Sequence, residues 1–111
     1  MDRRIELIIS KIESDPGACQ LSKLAGLVNL SPSRLRHLFK QETGTTPGQY
    51  LKAVRLAEAE RLLRTTFLSI KEIINQLGLL TSAHFVRDFK NVYGTSPTAY
   101  RKLNGLRRNK T

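Results

Sequence analysis

Cysteine is almost missing from this sequence, with a single one, Cys19, in 111 residues. It cannot close an internal disulfide. With no second cysteine and no Cys/His cluster there is also no metal-ligand spacing to read, and a reducing cytosol fits. Glycine and proline are sparse too, 7 and 4 residues, which excludes collagen-like and low-complexity chains. No window approaches the roughly 18 apolar residues of a membrane span, and the start MDRRIELIIS lacks a long apolar run. A soluble, cytoplasmic chain with no visible address is expected.

Acidic residues are scarce relative to basic ones. Nine Asp and Glu stand against 19 Lys and Arg, giving +10 and a pI near 10.4, which favours a polyanionic partner, nucleic acid ahead of an anionic membrane. The imbalance is local. Residues 1–30 carry Arg3, Arg4, Lys11 and Lys23 against Asp2, Glu6, Glu13 and Asp15, so the whole excess lies beyond residue 30. Because that charge is spread over several short segments, it does not make the single basic amphipathic helix of a membrane-surface protein.

Catalytic patterns are lacking as well. There is no P-loop, no Ser/His/Asp order and no metal motif. Glu58 and Glu60 lie two apart on a helical stretch and point in different directions. No enzyme activity, metal or cofactor is expected.

What is present is enough apolar material, 40% of residues, for one domain of 12.6 kDa. Strand signals are absent, and apolar residues recur at spacings of three and four, so the fold class is all-α. Ile5, Ile8, Ile9 and Ile12 form one stripe that Asp15-Pro16-Gly17 stops, placing a helix over about 2–14. Leu21, Leu24, Ala25 and Val28 form a second, ending at Asn29, which tolerates a left-handed turn. Ser31-Pro32 is a cap followed by proline at the first helical position, and Gly44 closes that helix over about 32–43. Thr46-Pro47 opens a longer run through Tyr50, Leu51, Val54, Leu56, Ala59, Leu62 and Leu63 to Thr65-Thr66. Its apolar residues occupy more than one side, as a connector packed against two neighbours requires.

The second half repeats the first. At an offset of 50, residues 31–50 and 81–100 share Phe39/Phe89, Lys40/Lys90, Gly44/Gly94, Thr45/Thr95, Pro47/Pro97 and Tyr50/Tyr100. Upstream the offset is 49, pairing Leu21/Ile70, Leu24/Ile73, Ala25/Ile74 and Val28/Leu77, with Ser69 and Glu72 as a capping box. The slip falls in the turn, where Asn29-Leu30 and Gly78-Leu79 are equivalent and the second turn runs one residue longer to its cap at Thr81.

A short helix, a tight turn and a second helix with basic residues is the helix-turn-helix pattern, here in two copies. Helical phase tests it. Leu35, Leu38 and Phe39 define the buried side of 32–43, which leaves Ser33, His37 and Lys40 opposite, flanked by Arg36 and by Arg34 and Gln41. In the second copy Phe85, Phe89, Val92 and Tyr93 define the buried side, leaving Ala83, Arg87 and Lys90 opposite, with His84 and Asn91 beside them. Arginine's planar fork suits guanine O6 and N7, so Arg36 and Arg87 are the foremost base-reading candidates. Lys40, Lys90, Arg101 and Lys102 are assigned to phosphates, as are the helix starts at Ser31, Thr46, Thr81 and Ser96 through their backbone N–H groups.

Each of these residues has a plainer role to weigh. His37 and His84 are otherwise solvated helical histidines, and Arg36 and Arg87 surface ion-pair partners, with Asp88 next to Arg87. Phe39, Phe85, Phe89, Tyr50 and Tyr100 belong to the core by their spacing, and Cys19 is an inert thiol. The tail NGLRRNK is either a phosphate-binding arm or a frayed end.

The chain resembles the DNA-binding domain of AraC/XylS-type bacterial transcription regulators. The resemblance runs through LSKLAGLVNLSPSRLRHLFKQETGTTPGQYL, RLAEAERLL and SIKEIINQLGLLTSAHFVRDFKNVYGTSPTAYR, with FK…YGTSPTAYR its most specific part. It implies a seven-helix domain in which a long central helix joins two helix-turn-helix units. The expected boundaries are about 1–46 and 65–104 for the units, about 47–64 for the connector, and 105–111 for a basic tail. It implies that both recognition helices enter successive major grooves on one face of the duplex and bend it. Carried over by position, the base contacts are Ser33, Arg36 and His37, then Ser82, Ala83, His84 and Arg87. Two positions depart from the family: Ile74 replaces the usual small alanine and Leu79 the usual phenylalanine, so different packing is expected of the second unit. Because its exposed face includes Ala83, which offers only apolar contact, less hydrogen-bond readout is expected there.

A connector over about 48–64 spans roughly 25 Å, and with the width of the flanking units it brings the two helices near the ~34 Å pitch of B-DNA. The function expected is a sequence-specific double-stranded DNA-binding regulator, an activator touching RNA polymerase as the family does. It would act as a monomer, associated with the nucleoid. A protein-interaction module for an acidic partner, or a nonspecific architectural binder, are the alternatives. No small-molecule effector is expected unless a second domain exists, and Met1 favours a stand-alone chain.

Overall fold

In a computed structural model, residues 1–79 and 82–106 are described. Among them the chain forms seven helices and no strand. They are α1 (Arg3–Ser14), α2 (Leu21–Leu27), α3 (Pro32–Thr43), α4 (Pro47–Thr65), α5 (Ile70–Gln76), α6 (Ser82–Tyr93) and α7 (Pro97–Asn104).

The helix ends follow from local chemistry. Asp2, Ser31 and Ser96 each accept a hydrogen bond from a first-turn amide, and Ser69 and Glu72 close a reciprocal capping box. At the other ends, α3 stops at Gly44 and the matching glycine after α6 is Gly94, with φ of 85° and 82°. Both donate to the carbonyl four residues back, at 2.8 Å. A left-handed backbone costs an ordinary residue about 1–2 kcal/mol, which is why glycine stands there.

The two helix-turn-helix turns are built alike despite their different residues. Asn29 (φ 57°) and Gly78 (φ 65°) supply the left-handed turn. Leu30 and Leu79 then donate to the carbonyls of Ala25 and Ile74, at 3.0 and 3.1 Å.

The chain divides into two compact units between Val54 and Arg55. The core of the first is Ile5, Ile8, Ile12, Leu24, Ala25, Leu35, Phe39 and Leu51. That of the second is Leu56, Ala59, Leu62, Leu63, Ile73, Ile74, Leu77, Phe85 and Phe89. Helix α4 therefore contributes apolar residues to both, which accounts for its lack of a single apolar face. Ile74, where Ala25 stands in the first unit, is buried in the second core, and Leu79 packs against that core from its edge.

Two apolar assignments need correction. Val92 is 61% exposed, because rings close that end of the core instead. Phe89, Tyr93 and Tyr100 stack together with centroids 4.5 to 5.7 Å apart. Leu21, first in α2, sits at the rim of its core and stays 40% exposed.

Candidate nucleic-acid interface

In the first unit, Leu35 and Phe39 point into the core and anchor α3 by one side. The same 3.6-residue period then sets Ser33, Arg36, His37, Lys40 and Gln41 on the exposed side. With Thr46 they line one shallow groove. A second groove shares Ser33, His37 and Gln41 but is closed by Arg4, Leu30, Arg34 and Leu38. Among the described residues no side-chain hydrogen bond or ion pair engages Arg36, His37, Lys40 or Gln41. Their donors are all available to a ligand. Arg4 is different: Asp2 holds its guanidinium at 2.9 Å, and that guanidinium in turn holds the Asp2 carboxyl down at about 2.

In the second unit, Phe85 and Phe89 anchor α6 in the same way, leaving Ser82, Ala83, His84, Arg87 and Lys90 exposed. Arg87 lies 3.7 Å from Asp88, and its side chain is 63% exposed. The adjacent ion pair is thus present, though loose and solvated. The cap at Thr81 lies outside the described residues, as does the tail beyond Leu106.

The helix starts are more restricted as anion donors than their sequence suggests. In α3, α4 and α7 the first position is proline, which has no N–H. The third-position amides of Arg34, Gln49 and Ala99 are taken by the side chains of Ser31, Thr46 and Ser96. Gln49 also closes back onto the Thr46 amide at 3.1 Å. The first-turn amides left over are those of Ser33, Gly48 and Thr98. The Ser/Thr-Pro pairs held this information, since the proline removes one donor and the cap consumes another.

Arg101 departs most from its assignment. Its guanidinium turns inward, Nε donating to the Leu63 carbonyl at 3.1 Å and Nη2 to Leu62 and Thr66 at 3.4 and 3.3 Å. It adds donors to the carbonyls at and just after the end of α4, among which that of Leu62 also accepts from the Thr66 amide and hydroxyl. Lys102, its neighbour, is exposed. Sequence pattern alone cannot separate the two, because both are basic residues on one short helix.

Two carboxylates of α4 are tied to bases, one of them also to a phenol. Glu58 pairs with Arg61 at 2.7 Å, and Glu60 pairs with Arg64 at 3.0 Å while accepting from the Tyr100 hydroxyl. The arginine, then the tyrosine, hold the Glu60 carboxyl below its usual range. On α3 the exposed basic side chains of Arg36, His37 and Lys40 stay uncommitted among the described residues, while on α6 Arg87 keeps its loose contact with Asp88.

Comparison with known proteins agrees with this fold. The profile of a helix-turn-helix domain family matches residues 24–103. An HTH-type transcriptional regulator of Haemophilus influenzae is 34% identical over 102 residues, covering 91% of this chain and 34% of that protein. The chain spans about a third of the length of the curated relatives it matches. Among solved structures, the C-terminal domain of AraT, a response regulator from Geobacillus stearothermophilus, superposes with a TM-score of 0.84 at 28% identity, covering 99% of this chain and 93% of that one. The DNA-binding domain of AdpA, a global transcriptional factor solved in complex with a target DNA, superposes at 0.79 with 27% identity, covering 93% of each chain.

Proposed function

The chain belongs to the AraC/XylS-type helix-turn-helix transcription regulators, and on that footing we propose that it reads double-stranded DNA sequence-specifically, α3 and α6 entering successive major grooves. The observation that carries this is the exposed face of α3, where Arg36, His37 and Lys40 stand beside Ser33 and Gln41 with no partner among the described residues to give up. A groove-facing helix gains most when its donors need not first break other bonds.

Ser33, Arg36 and His37 read bases in the first unit, Arg36 as the guanine-directed fork. In the second unit Ser82, Ala83, His84 and Arg87 face the groove. The Asp88 contact of Arg87 is solvated and costs little to exchange for a base. Lys40, Lys90 and Lys102 hold phosphates, together with the helix starts at Ser31, Thr46 and Ser96 through the amides of Ser33, Gly48 and Thr98. The two units act as one DNA-binding domain, with Arg101 bracing rather than binding.

On the scale of the cell, the chain works as a monomeric activator in the bacterial cytoplasm, at the nucleoid, and touches RNA polymerase beside its site. Its charge of +10 supports fast, salt-sensitive encounter with DNA.

Selection of bound duplexes from a randomised pool at about 150 mM salt tests this. The expected product is a site with two blocks about one helical turn apart, one relaxed by Arg36→Ala and the other by Arg87→Ala, each at a cost of about 1–3 kcal/mol. Enrichment of no sequence would overturn it and turn attention to an acidic protein partner.

A further inference from the structure

The two recognition helices share a register, so each groove-facing position in one has a counterpart in the other. Helices α3 and α6 are both 12 residues long and start exactly 50 residues apart. Their buried anchors, Leu35/Phe85 and Phe39/Phe89, and their closing glycines, Gly44/Gly94, keep that spacing. The outward positions then pair as Ser33 with Ala83, His37 with Arg87 and Lys40 with Lys90. The counterpart of Arg36 is Val86.

Val86 is not a core residue. It is 37% exposed on a helix whose inward side is filled by Phe85 and Phe89. One helical turn before it stands Ala83, also exposed. Together they place two apolar side chains at positions i and i+3 of a face that otherwise carries Arg87 and Lys90. In the first unit those two positions hold Ser33 and Arg36, both hydrogen-bonding residues. The exchange is one of chemistry at a fixed place, polar in α3 and apolar in α6.

The major groove offers an apolar side chain one distinctive feature, the C5-methyl group of thymine. We infer that Val86 is a specificity-determining residue of α6, contacting a thymine methyl with Ala83 beside it, next to the base read by Arg87. This assignment rests on the DNA-reading function proposed above. It goes beyond it in giving the second unit a further basis for discrimination, the covering of methyl groups beside the hydrogen bonding of Arg87. A β-branched side chain suits the task, because its stiff χ1 loses little freedom when the groove closes over it.

Duplexes carrying the selected site, with each thymine of the block read by α6 replaced in turn by deoxyuridine, test the assignment. This removes one methyl group and leaves every hydrogen-bonding group in place. Burial of one methyl corresponds to about a fourfold change in affinity, so wild-type protein should lose about that factor at one or two positions. Val86→Ala should bind the thymine duplex more weakly and no longer distinguish it from the deoxyuridine duplex. Val86→Thr, which keeps the branched shape, should retain part of the distinction. Because Val86 is outside the core, both variants should unfold at the wild-type urea midpoint. Equal binding of thymine and deoxyuridine duplexes by wild type would overturn the assignment while leaving the two-block site standing. So would undiminished discrimination by Val86→Ala. If selection enriches no site at all, the DNA-reading function falls, and the assignment with it.

Discussion

Tyr100 donates its hydroxyl hydrogen to the Glu60 carboxylate, forty residues earlier on α4. The first unit contains the same device, Tyr50 donating to Glu13 on α1. In each unit the tyrosine ring also rests near the second core anchor of the recognition helix, Tyr50 by Phe39 at 5.7 Å and Tyr100 by Phe89 at 5.4 Å. The carboxylate, first among the causes, pushes the Tyr50 phenol up to about 12. Hence α1 does for the first unit what the second half of α4 does for the second. Removing either hydroxyl, as Tyr50→Phe or Tyr100→Phe, should cost about 1 kcal/mol, below the about 1.5–3 kcal/mol of a bond to a charged group because both sites are partly solvated. Urea unfolding at neutral pH reads that loss as a lower midpoint with unchanged slope.

Acid should weaken the second unit through Glu60. Its carboxyl is held below the usual 4.5, first by Arg64 and then by Tyr100. A depressed carboxyl contributes stability that is full above 4.5 and fades as pH falls through the lower, folded value. Wild-type protein should therefore lose urea stability between pH 5 and pH 3, and Glu60→Gln should lose less over that range. Parallel curves for the two proteins would contradict the role given to this carboxylate.

Backbone handedness gives a sharper contrast. Gly44→Ala and Gly94→Ala should each destabilise by about 1–2 kcal/mol, since both sites have positive φ. A β-carbon at either meets no other atom within 4 Å, so the cost is conformational and not steric. Asn29→Gly should change stability little, because asparagine already accepts the left-handed turn. Thermal unfolding of the three variants under one set of conditions separates them.

Arg101 and Lys40 should part company in their salt dependence. Lys40→Ala should reduce the slope of log affinity against log salt by about 1 and leave folding intact. Arg101→Ala should leave the slope in place and lower stability by about 1–3 kcal/mol, as it strips donors from three carbonyls at the end of α4. Gly105→Ala should likewise lower stability and leave the slope in place, because the added β-carbon forces backbone atoms to shift. A β-carbon there would come within 2.7 Å of the Arg101 carbonyl and 3.0 Å of that of Leu63.

The helices were legible in the sequence because their ends are written in local chemistry. Ser31-Pro32, Ser69 with Glu72, and the glycines at 44 and 94 each name a helix end without help from tertiary contacts. The basic face of α3 was legible for a similar reason, the phase of Leu35 and Phe39. What eluded the sequence depended on three-dimensional neighbours. The turn inward of Arg101 needs the carbonyls where α4 ends, and its counterpart fifty residues earlier is the buried Leu51, so the repeat itself misleads there. Val92 has the right phase for burial but stands beyond the point where Tyr93 and Tyr100 close the core. Val86 sits between the buried side set by Phe85 and Phe89 and the outward side set by Ala83 and Arg87, so helical phase alone assigns it to neither.

Each core of this chain is complete without the outward residues of its recognition helix. Phe85 and Phe89 hold α6 whatever occupies 83, 86 and 87, just as Leu35 and Phe39 hold α3 whatever occupies 33, 36 and 37. Mutation at either set is therefore nearly free of folding cost and falls on one copy at a time. A lineage carrying this duplicated unit can keep one word of its recognition sequence fixed while rewriting the other.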